Sequence, residues 1–192
     1  MDTVYYLIQN MLPVAMPLLL VALGGMFSEI SGVVNIALEG IMLFGAFFAA
    51  LFVYIVQDLG LNPQTVLLLG MLIAAAAGLI YSLLLSFAAV SMKANQVITG
   101  TALNMLIPAA ILLFSKMFFN SDGITTRMNF YIREVPVLGK IPIIGPMFFQ
   151  RTYLTVLISI IFLIISIIIF YKTKFGLRLR ACGEHPHAAD SV

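Results

Sequence analysis

Residues 59–92 carry no charged side chain, and the stretches 3–28, 40–57, 94–115 and 152–171 are equally free of Asp, Glu, Lys and Arg. A helix rises about 1.5 Å per residue, so about 20 apolar residues cross the roughly 30 Å of bilayer hydrocarbon. Nothing else in the sequence limits the fold as strongly. A soluble domain must keep a charged shell in water. Here 62% of the 192 residues are hydrophobic and 9% charged, against roughly 45–50% and about 25% in ordinary soluble domains. The chain is expected to be all-α, a polytopic transmembrane helix bundle.

Five spanning helices are expected, at about 11–28, 36–56, 65–91, 97–118 and 152–171. The fifth is the clearest: Thr152 to Tyr171 holds eight isoleucines, with Arg151 and Lys172 just outside. In the third, Gly70, Ala74, Gly78, Ser82 and Ser86 recur every fourth residue. Such a ridge of small side chains lets two helix backbones approach closely in lipid. The external loop is placed at about 119–151, where Pro136-Val137-Leu138-Gly139 is echoed by Pro142-Ile143-Ile144-Gly145. Proline and glycine break helix and ladder alike, so this repeat is read as paired turns on the membrane surface, open to a docking partner.

Charge orients the chain only weakly. An odd number of crossings puts the termini on opposite sides, and the basic residues divide evenly between them. Lys172, Lys174, Arg178 and Arg180 cluster without an acid among them, which favours a cytoplasmic tail and an external N-terminus. Asp2 stands where a cleaved signal peptide would carry basic residues. A net charge of +2 is no nucleic-acid signature, and the single Cys182 excludes a disulfide scaffold.

Polar residues at membrane depth are the candidates for function. If helical, Asn35 and Glu39 share a face. A buried carboxylate there would line a pathway or lock a re-entrant turn, whereas one near a helix end would reach the interface. Ser31-Gly32 suits a break, so a broken segment is expected near 28–40. A second is expected near 94–104, where Asn95, Thr99 and Asn104 place hydrogen-bonding groups at the start of the fourth helix. Asn95 also fits a simple helix cap. Amides and hydroxyls suit a neutral hydroxylated solute, and broken helices present such groups in transporters. Asn35, Glu39, Asn95, Thr99 and Asn104 are therefore the expected substrate pathway. No phosphate-binding G-x-x-x-x-G-K-[ST] loop, H-E-x-x-H or G-x-S-x-G motif occurs. His185 and His187 have no third ligand nearby, so neither a catalytic residue, a metal nor a cofactor is expected.

Asn35-Ile36-Ala37-Leu38-Glu39-Gly40 resembles the N-I-x-L-E-G segment of ABC importer permeases for nucleosides and simple sugars. Ala94-Asn95-Gln96-Val97-Ile98-Thr99-Gly100 with Leu103-Asn104 resembles a second segment of that family. The tail from Gly176 to Asp190 is similar to its cytoplasmic loop that contacts the ATPase. Ala37 departs from an expected glycine and His187 from a common arginine. Family members have about twice as many helices, so the chain is expected to be the N-terminal part of a permease.

The resemblance implies an importer subunit in the bacterial inner membrane that is not itself an enzyme. Its partners would be a second permease subunit (same or sister chain), cytoplasmic ATP-binding subunits, an external solute-binding protein and the lipid bilayer, with no nucleic acid. Residues 1–171 would be the permease region and 172–192 the ATPase-coupling segment, through Gly176, Arg178, Arg180, Gly183, Glu184 and Asp190. Gly176 and Gly183 would bracket a short element, with the arginines adding surface charge. Two alternatives stay open: a branched-chain amino acid permease, and a non-transporting membrane scaffold.

Overall fold

The computed structural model describes residues 2–134 and 150–186. Six helices and one strand pair follow in the order α1 (Asp2–Ile30), α2 (Leu38–Val56), α3 (Pro63–Ser86), α4 (Gln96–Phe119), β1 (Tyr131–Glu134), β2 (Gln150–Tyr153), α5 (Leu154–Lys172) and α6 (Lys174–Glu184). Among the described residues five helices, α1 to α5, are long and apolar enough to cross a membrane. A 3-10 turn, Gln57–Leu59, prolongs α2, and a π-helical turn, Phe87–Ser91, prolongs α3. The chain divides into two compact units, Val33–Asn129 and Met1–Gly32 with Phe130–Val192.

In the Val33–Asn129 unit, α2 and α3 pack against each other through small residues. A side chain on Gly45 would meet the Ala74 carbonyl at 2.8 Å, and one on Gly78 would meet Ile41 at 3.3 Å. Gly70, Ala74 and Gly78 of the expected ridge therefore lie against α2, whereas Ser86 is exposed. Large apolar side chains such as Leu72, Leu79 and Met105 point outward. That arrangement suits lipid, where helices gain from close backbone approach rather than from hiding leucine. The helices α2 and α4 run in the same direction: Gly40 meets Asn104 near their starts and Tyr54 meets Phe119 near their ends.

In the other unit, α1 and α5 also run parallel. Tyr6 and Tyr153 line one cavity where they begin, and the Phe27 and Phe170 rings sit 4.1 Å apart where they finish. α5 buries Val156, Ser159, Ser166 and Phe170, a stripe at helical spacing. The strands β1 and β2 pair antiparallel, Tyr131 opposite Tyr153 and Ile132 opposite Thr152. This ribbon was not expected from the sequence, and the turns expected at 136–145 lie outside the described residues. α1 begins well before the position expected near 11, and within its added turns Asn10 donates its amide N–H to the Tyr6 carbonyl one turn back, at 2.8 Å.

Candidate solute pathway and coupling segment

Both expected interruptions exist. After α1 the chain turns at Ser31 and at Gly32, whose φ of 85° favours glycine, and it becomes helical again at Leu38. Asn35 and Glu39 therefore do not share a helix face: Asn35 lies in the turn, and its side-chain oxygen accepts from the Ala37 N–H at 3.1 Å. Glu39 stands exposed in the first turn of α2, where a carboxylate complements the helix dipole. The second interruption is shorter than expected, ending at Asn95. The Asn95 side chain caps α4 by accepting from Val97 and Ile98 N–H at 2.9 and 3.3 Å, and Thr99 donates back to the Asn95 carbonyl.

The two segments are tied together by Asn104. Its amide oxygen accepts from the Gly40 N–H at 2.6 Å, and its amide N–H donates to the Ile36 carbonyl at 2.7 Å. Backbone groups at the edge of a helix break need such partners, since the bilayer offers none. Three further residues complete the clamp. Gln96 accepts from the Val34 N–H at 3.0 Å. Gly100 permits close approach, as a side chain there would sit 3.0 Å from the Ile36 Cβ and 3.2 Å from the Ala37 nitrogen. Buried Tyr81 donates its hydroxyl to the Leu103 carbonyl at 2.9 Å. Gln96, Gly100 and Tyr81 were not expected as site residues. The usable signal was Gly100, a glycine one turn before a part-buried amide on the same helix.

The tail forms α6 directly after α5. Thr173 caps it, its hydroxyl oxygen accepting from the Gly176 N–H at 3.2 Å. Gly176 and Gly183 lie within α6 rather than bracketing a shorter element. Their role is close approach: a side chain on Gly176 would strike the Ile169 carbonyl, and one on Gly183 the Ile30 carbonyl at the end of α1. Gly183 also sits 3.4 Å, through its Cα, from the place a Gly32 side chain would occupy. Arg178 and Glu184 are exposed. Arg180 is not free surface charge: its guanidinium donates to the Phe170 carbonyl at 3.2 Å and to the Gly176 carbonyl at 3.4 Å, and it lies over the Tyr171 ring. The last turn of a helix leaves carbonyls without donors, and Arg180 supplies one to Phe170 in the last turn of α5. Asp190 and His187 lie outside the described residues.

A family model described as "Branched-chain amino acid transport system / permease component" matches residues 7–192. The chain belongs to this permease family. It is 45% identical, over 93% of its length, to the guanosine ABC transporter permease protein NupQ of Bacillus subtilis, and covers 56% of that protein. It is 36% identical, over 100% of its length, to the nucleoside ABC transporter permease protein NupC of Lactococcus lactis, covering 60% of it. The chain thus spans little more than half the length of these relatives. No solved structure matches it. Family membership and five apolar helices make this permease chain a multi-pass membrane protein.

Proposed function

We propose that this chain acts as a membrane-spanning permease subunit of an ATP-driven importer for nucleosides in the bacterial inner membrane. The observation that carries the reading is the 45% identity, over nearly the whole chain, to a protein named as a guanosine permease. The Asn35, Glu39, Asn95, Thr99 and Asn104 cluster serves as pathway lining. Glu39 offers an exposed carboxylate, and Asn104 holds the interrupted segment in shape. Residues 172–192 form the ATPase contact, with the tail cytoplasmic and the N-terminus external. Separate ATP-binding subunits hydrolyse ATP, and a second permease chain and an external solute-binding protein complete the assembly. Joined to the ends of α5 and α1, α6 passes on ATPase motion only where its docking energy differs between two ATPase states.

The test is uptake of labelled guanosine into vesicles carrying the complete transporter, with unlabelled competitors. Adenosine or guanosine should compete, and ribose, glucose and leucine should not. Uptake of labelled leucine in place of labelled guanosine would favour the branched-chain amino acid reading, which the family description supports. Uptake of labelled ribose or glucose in place of guanosine would move the cargo to simple sugars.

A further inference from the structure

Gln9 and Asn10 interrupt the first span, Tyr5–Ile30, within its opening turns, and neither belongs to the Asn104 clamp or the α6 joint. Amides are costly to present to lipid and are found facing protein or water-filled space. Here they line a cavity of about 240 Å³ together with Tyr6, Pro13, Tyr131 and Tyr153. Asn10 commits one N–H to the Tyr6 carbonyl. A primary amide has a second N–H and an acceptor oxygen, so both hydrogen-bonding characters remain in the wall. Pro17 has no N–H to return to the Pro13 carbonyl, which leaves a further acceptor on a lining residue. Tyr131 and Tyr153, opposite each other in the strand pair, meet edge-on with ring centroids 6.0 Å apart.

Three phenol rings around two amides suit a flat heterocycle with donors and acceptors in its plane, because any base offers a π-face for stacking. The space is below the roughly 300–1,000 Å³ of sites for larger molecules, which favours a planar ring over a bulky solute. We propose that this cavity, where α1 and α5 begin, is a reception site for the base of a nucleoside. The proposal rests on the nucleoside reading and names a site made of different residues from the Asn35–Asn104 cluster.

The chain contains no tryptophan. Tyr6→Trp, at a position 61% exposed, places a fluorophore on the cavity rim, and Tyr153→Trp gives a second reporter from the strand side, each read as the difference from the unsubstituted protein. The full-length protein in lipid nanodiscs is titrated with guanosine and, separately, with ribose. Guanosine should quench either reporter saturably and ribose should not. Adding Asn10→Leu should raise the half-quenching concentration about tenfold, the loss expected when a polar ring edge meets no partner. Silence of both reporters, equal quenching by ribose, or a titration unmoved by Asn10→Leu would overturn the proposal. Vesicles that import guanosine while both reporters stay silent would remove this site and keep the nucleoside reading. Vesicles that import no nucleoside would remove both.

Discussion

Each arm of the Asn104 amide serves the backbone of the interrupted segment before α2, so its substitution should act on stability before it acts on transport. Asn104→Leu leaves the Gly40 N–H and the Ile36 carbonyl without partners in a part-buried place. Unsatisfied buried groups cost about 1–3 kcal/mol, and hydrogen bonds between membrane helices average about 0.6 kcal/mol, so a loss of roughly 1–2 kcal/mol is expected. Asn104→Gln keeps both an acceptor and a donor without adding a charge and should lose less. Denaturation in mild detergent measures both, and equal stability of all three proteins would contradict the clamp. Gly100→Val should destabilise by about 1–3 kcal/mol through overpacking on Ile36 and Ala37, read from the same curves. Asn104 was legible in the sequence as an amide deep in an apolar helix. Its partners were not, being backbone atoms 64 and 68 residues away, to which no side-chain pattern points. Arg180 was misread for a related reason: a basic residue after a span looks like interfacial charge until the helix end beneath it is seen.

At the scale of elements, α4 carries its own weak point beside the site. Pro108 lies inside the helix and cannot donate to the Asn104 carbonyl, so the turn holding the clamp lacks one rung. Tyr81 of α3 braces that turn by its hydroxyl on the Leu103 carbonyl. Tyr81→Phe should therefore cost about 1 kcal/mol and increase hydrogen exchange of amides around 103–108. An unchanged exchange pattern there would show that the brace is idle. The spans themselves were readable, because uncharged runs of bilayer length have few other solutions. The strands β1 and β2 were not: each has four residues, too few for an alternation to stand out, and their pairing joins distant parts of the loop. The hydroxyl stripe Ser159 and Ser166 was hidden in an isoleucine-rich helix for want of any view of the face it buries.

For the whole molecule, the parallel runs of α1 with α5 and of α2 with α4 agree with a chain that crosses the bilayer at each of five helices. On the proposed reading the tail lies opposite the N-terminus. Cys182, the one cysteine in these 192 residues and exposed on α6, gives a natural probe of its side when labelling is compared with that of Cys182→Ser. A membrane-impermeant maleimide should label it in inside-out vesicles and leave it unlabelled in intact cells, and the reverse pattern would put the tail outside. On the proposed function α6 joins the ATPase to the membrane helices through close glycine contacts. The most direct test of this joint compares ATP hydrolysis with labelled guanosine uptake in vesicles carrying the complete transporter, with Gly183 or with Gly183→Val. A valine there must push α6 away from the Ile30 carbonyl. Hydrolysis should continue while uptake falls to background. Uptake and hydrolysis still coupled as in the unsubstituted transporter would contradict this role for α6.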